Sequence, residues 1–211
     1  MSTASTGDRS FGLPDVVTRR LNRAITTGAL PPGARLSPAR LAEDLGVSHI
    51  PVREALAALG AAGHVTRIPG VGCFVTVLST EDIEDLFHWR RVLEDEAHQL
   101  SVPRLGEADL ACMREHAAGM RTGDLTAFLD YQRAFHFVPF HRVASEYLVR
   151  FLTHLWDVAA RFQTSPGYER VPALLVEHNE PLLAAFEARD VAAVNAIMAT
   201  QRALTLDAIR G

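Results

Sequence analysis

Residues 35–56 read RLSPARLAEDLGVSHIPVREAL and constrain the fold more than any other stretch of the chain. Ser37 followed by Pro38 marks a helix start. The hydroxyl can cap the first free N–H groups, and the proline sits where a missing N–H costs little. Leu41, Ala42 and Leu45 share one face, and the turn Gly46-Val47-Ser48 follows. Ser48 is expected to cap a second helix running to about Ala62, with Pro51 in its first turn and Val52, Ala55, Leu56 and Leu59 facing inward. Arg53 stands about one turn into that helix. Two short helices around a tight turn are how a helix-turn-helix offers a recognition helix to the major groove of DNA.

The flanks complete a domain. Val17, Leu21 and Ile25 give an apolar face to a helix predicted over Asp15–Thr27, with Gly28 as its stop. Leu30-Pro31-Pro32-Gly33 is a turn. Val65–Ile68 and Cys73–Val77 flank the turn Pro69-Gly70-Val71-Gly72 and read as a hairpin, a wing that can reach the minor groove or phosphates. Residues 13–78 are therefore a winged helix-turn-helix, and the small polar residues 1–12 a disordered tail. Residues 1–78 carry eight Arg against five acids, and 79–211 thirteen Arg against twenty acids. A basic module joined to an acidic one suits a DNA reader attached to a module that stays off DNA. No apolar run is long enough for a membrane span and no secretory signal opens the chain. Cys73 and Cys112 match no metal spacing and are expected to be free thiols of a cytoplasmic protein.

Residues 79–211 read as an all-α bundle of about six helices, near 79–100, 107–121, 124–144, 146–163, 172–187 and 190–209. The fold class is thus mainly α. Pro139 and Pro181 are expected to kink or end the helices that contain them. Several apolar stripes carry polar residues. Arg90 lies on the first, Gln132 and His136 on the third, His178 or Asn179 on the fifth, and Gln201 on the last. Each alone can find a backbone or water partner; as a set they predict a common polar cavity.

The pattern G-x-L-x-P-G-x-x-L (Gly28, Leu30, Pro32, Gly33, Leu36), then LA-x-x-LGVS-x-x-PVREAL over Leu41–Leu56, then Gly70, Gly72, Phe74 and Val75, resembles the GntR family of bacterial transcription regulators. The resemblance makes Arg40, Ser48, His49, Pro51, Arg53 and Gly70 the candidate DNA-binding residues. His49 stands where the family usually has Arg and cannot supply the bidentate fork to guanine. Ala39 also stands where relatives often have Arg. Arg40 beside it should point elsewhere, either to phosphate or to solvent. Residues 83–209 resemble the FCD ligand-binding domain of the FadR-type branch, through Arg90-x-x-Leu93-Glu94, Phe135-His136, and Glu177-His178 followed by Ala185 and Asp190.

Many such domains hold a divalent metal. Here Gln132, Asn179 and Gln201 fall at the expected ligand positions, and neutral amides are poor ligands for transition metals. The resemblance therefore implies a cavity requiring no metal, in which Arg90, Gln132, His136, His178 or Asn179, and Gln201 bind an effector, with Arg90 suited to a carboxylate. A metal, if present, would use His136 and His178. The function expected is a ligand-responsive regulator, a repressor, binding a short palindromic operator as a homodimer. Two alternatives remain: a constitutive regulator with a degenerate cavity, and a metal-dependent hydrolase built on the bundle histidines. Against the hydrolase, no Glu or Asp joins two His at ligand spacing, no nucleophile pairs with a base, and no Gly-rich phosphate loop occurs.

Overall fold

The computed structural model describes residues 12–121, 124–164 and 168–210. The expected disordered tail, Gly12 excepted, lies outside the described residues. The chain divides into two compact units, Met1–Val77 and Leu78–Gly211.

The first unit contains α1 (Leu13–Thr26), β1 (Arg35–Leu36), α2 (Pro38–Leu45), α3 (His49–Ala61), β2 (Val65–Ile68) and β3 (Gly72–Val75). Helix α1 begins two residues before the expected Asp15. Pro14 is tolerated in its first turn, and the Asp15 carboxylate instead accepts the Gly12 N–H at 3.2 Å. Helix α2 starts as expected, with Ser37 accepting the Arg40 N–H. It ends on Gly46 at φ 67° and ψ 34°, a left-handed conformation that costs glycine nothing and sets up the tight turn. Ser48 occupies the N-cap position of α3, but its hydroxyl accepts no capping hydrogen bond.

The sheet has three strands in the order β1-β3-β2, all antiparallel, with Leu36 opposite Cys73 and Val65 opposite Val75. Strand β1 was not foreseen. Two residues carry no periodicity, and the strand forms only because β3 offers it an edge. Arg35 Nη2 then donates to the Val71 carbonyl at 3.0 Å, tying β1 to the wing tip. The core joins Val17, Leu21 and Ile25 of α1 to Val52, Leu56 and Leu59 of α3, with Leu36, Val65 and Val75 closing the sheet side.

The second unit contains α4 (Thr80–Ser101), α5 (Glu107–Gly119), α6 (Leu125–Phe140), α7 (Glu146–Ala159), α8 (Val171–Glu187) and α9 (Val191–Arg210), with short 3-10 turns at 102–104, 160–164 and 168–170. Ser79 caps α4 through the Asp82 N–H at 3.1 Å, while the Asp82 carboxylate takes the Ser79 N–H at 2.8 Å. Helix α4 packs on α6, α7 and α9. Phe135, Leu182 and Phe186 are fully buried at the centre of the largest apolar cluster, which draws on α5, α6, α8 and α9.

Helix α6 ends at Phe140, one residue past Pro139 and short of the expected 144. Helix α7 passes into a 3-10 turn at Ala160 rather than reaching 163 as α-helix. Helix α8 does not end at Pro181 but runs on to Glu187, as the expected 172–187 helix does. Pro181 and Glu177 are both exposed, so water can take the carbonyl that the missing N–H leaves free.

Leu56 is 4 % exposed, whereas Ile50, on the same helix, is 68 % exposed. Leu56→Ala is expected to destabilise the first unit by about 2–5 kcal/mol, because it opens a cavity between α1 and α3. Ile50→Ala is expected to cost under about 0.5 kcal/mol. Urea unfolding followed by circular dichroism measures both. Similar costs for the two would mean α3 presents a different face.

Candidate functional site

In the first unit, α3, the start of α2 and the hairpin bound an open groove of about 1170 Å³. Arg35, Arg40, His49, Arg53, Arg67 and Gly70 line it. Among the described residues no Asp or Glu does so. Each of these six is exposed. Gly70 adopts φ 73° at the wing tip, a backbone conformation that side chains resist.

The structure therefore gathers His49, Arg53, Gly70 and Arg40 on one concave face. Arg40, expected to point elsewhere, shares it. The first turn of α2 sits beside the leading end of α3, so consecutive positions 39 and 40 both reach the groove. Pro51 is corrected: it is buried beside Val52 and shapes the helix start rather than offering atoms to a ligand. Ser48 is exposed at the helix start but is not part of the groove lining. Sequence reasoning missed Arg35 and Arg67. Arg67 was legible as an outward position of the wing strand. Arg35 was not, because its placement depends on β1.

In the second unit, Arg90, Gln132, His136 and Gln201 line one cavity, together with Trp156 and Arg202. It has a volume of about 30 Å³, room for one or two waters. Asn179 is buried but donates to the Met120 sulfur at 3.4 Å and does not line this cavity. His178 is corrected: it lies half-buried and donates from Nδ1 to the Leu174 carbonyl of its own helix at 2.8 Å. The 3.6-residue turn of α8 sends Asn179 inward with Leu175 and Leu182, and position 178 away from them.

The centre of the site is a residue the sequence reading noted only as part of a motif. Glu94 is fully buried. Its Oε1 accepts Arg90 Nε at 2.7 Å and Trp156 Nε1 at 2.8 Å, and its Oε2 accepts Arg202 Nη1 at 2.6 Å. Burial alone would raise its pKa, but Arg90 and Arg202 outweigh that and hold the carboxyl at about 2. The Arg90 guanidinium lies over the Trp156 ring, 3.7 Å from its centroid. Burial pushes the His136 imidazole down to about 3, an effect Glu94 opposes and Arg90 reinforces. Burial also lowers the pKa of His98, whose Nδ1 lies 2.8 Å from Asn195 Oδ1. His136 Nδ1 and Gln201 Nε2 are buried without a hydrogen-bond partner among the described residues.

Arg202 was missed because Gln201, its neighbour, already filled the inward position. One turn of α9 admits both. These residues do not fit a divalent metal. His136 and His178 are not brought together. Among the described residues no group of three or more His, Cys, Asp or Glu is placed to hold an ion. The one carboxylate at the cavity is engaged by two guanidinium groups, whose charges repel a cation.

The chain matches two family profiles: bacterial regulatory proteins, gntR family, over residues 13–75, and the FCD domain over residues 85–201. It is 33% identical over 182 residues to the HTH-type transcriptional regulator McbR of Escherichia coli (strain K12), covering 81% of this chain and 80% of that protein. It is 33% identical over 109 residues to the Nta operon transcriptional regulator of Aminobacter aminovorans, covering 50% of this chain and 52% of that one. Among solved structures it resembles E. coli McbR/YncC with a TM-score of 0.79 at 29% identity, over 95% of this chain and 98% of that one. A putative transcriptional regulator GntR from Rhodococcus sp. RHA1 follows at 0.78 and 26% identity, over 94% and 97%. A basic groove beside a helix-turn-helix, in a chain that also carries a helical domain with its own polar cavity, is what these relationships account for: the chain is a DNA-binding transcription regulator of the GntR family with an FCD domain.

Proposed function

We propose that this regulator is a repressor that binds a short palindromic operator as a homodimer and senses a small anionic metabolite in the bundle cavity. On this reading it is a cytoplasmic protein, catalyses no reaction and requires no metal or other cofactor. The groove carries the DNA part of the proposal. Four arginines and His49 line it with no opposing carboxylate among the described residues, and DNA affinity rests on cations that replace the counterions of phosphates. Arg53 and His49, near the leading end of α3, are the candidates for base edges. Arg35, Arg40 and Arg67 are the candidates for phosphate. His49 forms at most one hydrogen bond per ring nitrogen, so base preference there is expected to be looser than an arginine would give.

A single winged domain reads too few base pairs for useful specificity, which favours a dimer. Trp89 on α4, and Tyr147 and Phe151 one turn apart on the neighbouring α7, are 52 %, 70 % and 56 % exposed. Exposed aromatics of this size favour a second copy as their cover. The two unpartnered polar atoms at the cavity support an occupant there. The small volume supports the second reading, a constitutive regulator. An effector that changes operator affinity must bind the operator-competent and incompetent states unequally.

Using a duplex selected from random sequence, Arg53→Ala is expected to weaken specific binding at least about tenfold while the dimer persists by light scattering. Arg67→Ala is expected to weaken all duplexes alike and to reduce the salt slope by about one. Unchanged affinity for both variants would remove the groove from the proposal.

The cavity groups also set a pH response. Glu94 is ionised in the folded chain down to about pH 2, against 4.5 unfolded, so its contribution is full above 4.5 and is lost as pH falls towards 2. His136 stays neutral when folded down to about 3, while the unfolded imidazole gains a proton near 6.5. Acidification from 6.5 to 3 therefore favours the unfolded chain. Urea unfolding between pH 7.5 and 4.5 is expected to show falling stability, with a shallower fall in His136→Gln. An identical slope in the variant would mean His136 is protonated in the folded protein.

A further inference from the structure

Helix α3 has a sharply divided surface. Val52, Ala55, Leu56 and Leu59 are buried, whereas Ile50, Arg53, Glu54 and Ala57 are exposed. At about 100° per residue, Ile50 points directly away from Leu59 and within about 20° of Ala57. Arg53 flanks Ile50 on one side and Glu54 on the other. The middle of the outward face is therefore apolar. Ile50 is 68 % exposed while Leu59 is 2 % exposed, so the isoleucine adds almost nothing to the core of its own unit. It is also a poorer helix former than alanine. Neither packing nor helix propensity accounts for a branched hydrocarbon at this place.

Continuity with the basic groove indicates what covers it. Arg53, about one turn further along, and Ala57, about two turns along, both line that groove. Ile50 stands in the first turn of α3, the part of a recognition helix that meets base edges. A β-branched side chain in a helix is held essentially in one rotamer, so ordering it against a partner costs little. The edges it can meet in the major groove differ in kind. Adenine and guanine present N7, and cytosine presents its amino group. Hydrocarbon laid over any of these strands a polar atom away from water. Thymine adds a C5-methyl group, which such a side chain can cover at no such cost.

We infer that Ile50 is a specificity-determining residue that reads thymine, packing on the C5-methyl of one thymine in each half-site beside the base that Arg53 addresses. The inference rests on the reading of this groove as the DNA face, and it adds a base identity and a mode of readout. Selection works in both directions: the methyl is attracted, and the polar edges of other bases are penalised. At the leading end of α3, where His49 cannot fork a guanine, apolar contact takes over part of the discrimination. Ile50 carries no charge, so its contribution is independent of the phosphate contacts made by the arginines.

The test uses the full chain and a duplex selected from random sequence, with each thymine replaced in turn by deoxyuridine, which removes only the methyl. Replacement of one thymine in a half-site is expected to weaken the unmodified protein about fourfold. Ile50→Ala is expected to bind the thymine duplex about fourfold more weakly and to be indifferent to that replacement. Its salt slope and its dimer, followed by light scattering, are expected to be unchanged. The absence of any methyl-sensitive thymine overturns the inference, as does an equal loss in Ile50→Ala, which would assign the methyl to another group. A dimer that dissociates in Ile50→Ala also overturns it, because the isoleucine would then face a second copy of the chain. In all three cases loss of specific binding by Arg53→Ala leaves the groove as the DNA face. Retention of specific affinity by both Ile50→Ala and Arg53→Ala overturns the inference and the groove reading together.

Discussion

One carboxylate organises the interior of the helical domain. Glu94 takes Arg90 from one turn earlier on α4, Trp156 from α7 and Arg202 from α9. The three donors join the three helices at one point where water is excluded. A lone ionised carboxylate in such a place is untenable, and two lone guanidinium groups are worse. Together they hold each other ionised, and each fixes the geometry of the others. Removing one partner of such a network costs about 3–5 kcal/mol, because the others keep their charge without company. The apolar cluster around Phe135 and Phe186 supplies most of the driving force for the bundle, but it is indifferent to which helix face carries charge. The Glu94 network decides that, and with it which polar atoms line the cavity.

The DNA-binding domain uses charge in the opposite way. Its arginines in the groove are exposed, and the lining gives them no carboxylate among the described residues. Exposure keeps each one cheap to hold, since water solvates it until a phosphate arrives. Arg35 is bonded to the wing-tip carbonyl of Val71, so the strand that completes the sheet also sets one cation in the groove. Burial and pairing make charge structural in the bundle; exposure and the lack of a counter-charge make it available in the groove.

Much of this was legible in the chain. The run from Ser37 to Leu59 announces two helices through a cap, a proline, a left-handed glycine and apolar spacing, all local signals with a local cause. The inward positions Gln132, His136 and Gln201 follow from the 3.6-residue period alone. The failures share a cause as well. Strand β1 is two residues long and exists through its pairing with β3. Position 178 against 179 is a choice between adjacent residues that the stripe of α8 leaves within one rotation step.

Sequence by itself determined the helix-turn-helix, the wing, the helical character of residues 79–211 and the presence of polar residues on the inward stripes, because short-range spacing and turn chemistry encode those properties. Only the tertiary structure decided that Arg35 and Arg67 join Arg53 in one groove, and that Glu94 rather than a histidine set commands the bundle interior. Those outcomes depend on residues far apart in the chain meeting where water is excluded. Coulomb energy and desolvation act on distances in space, and a one-dimensional pattern carries no record of them.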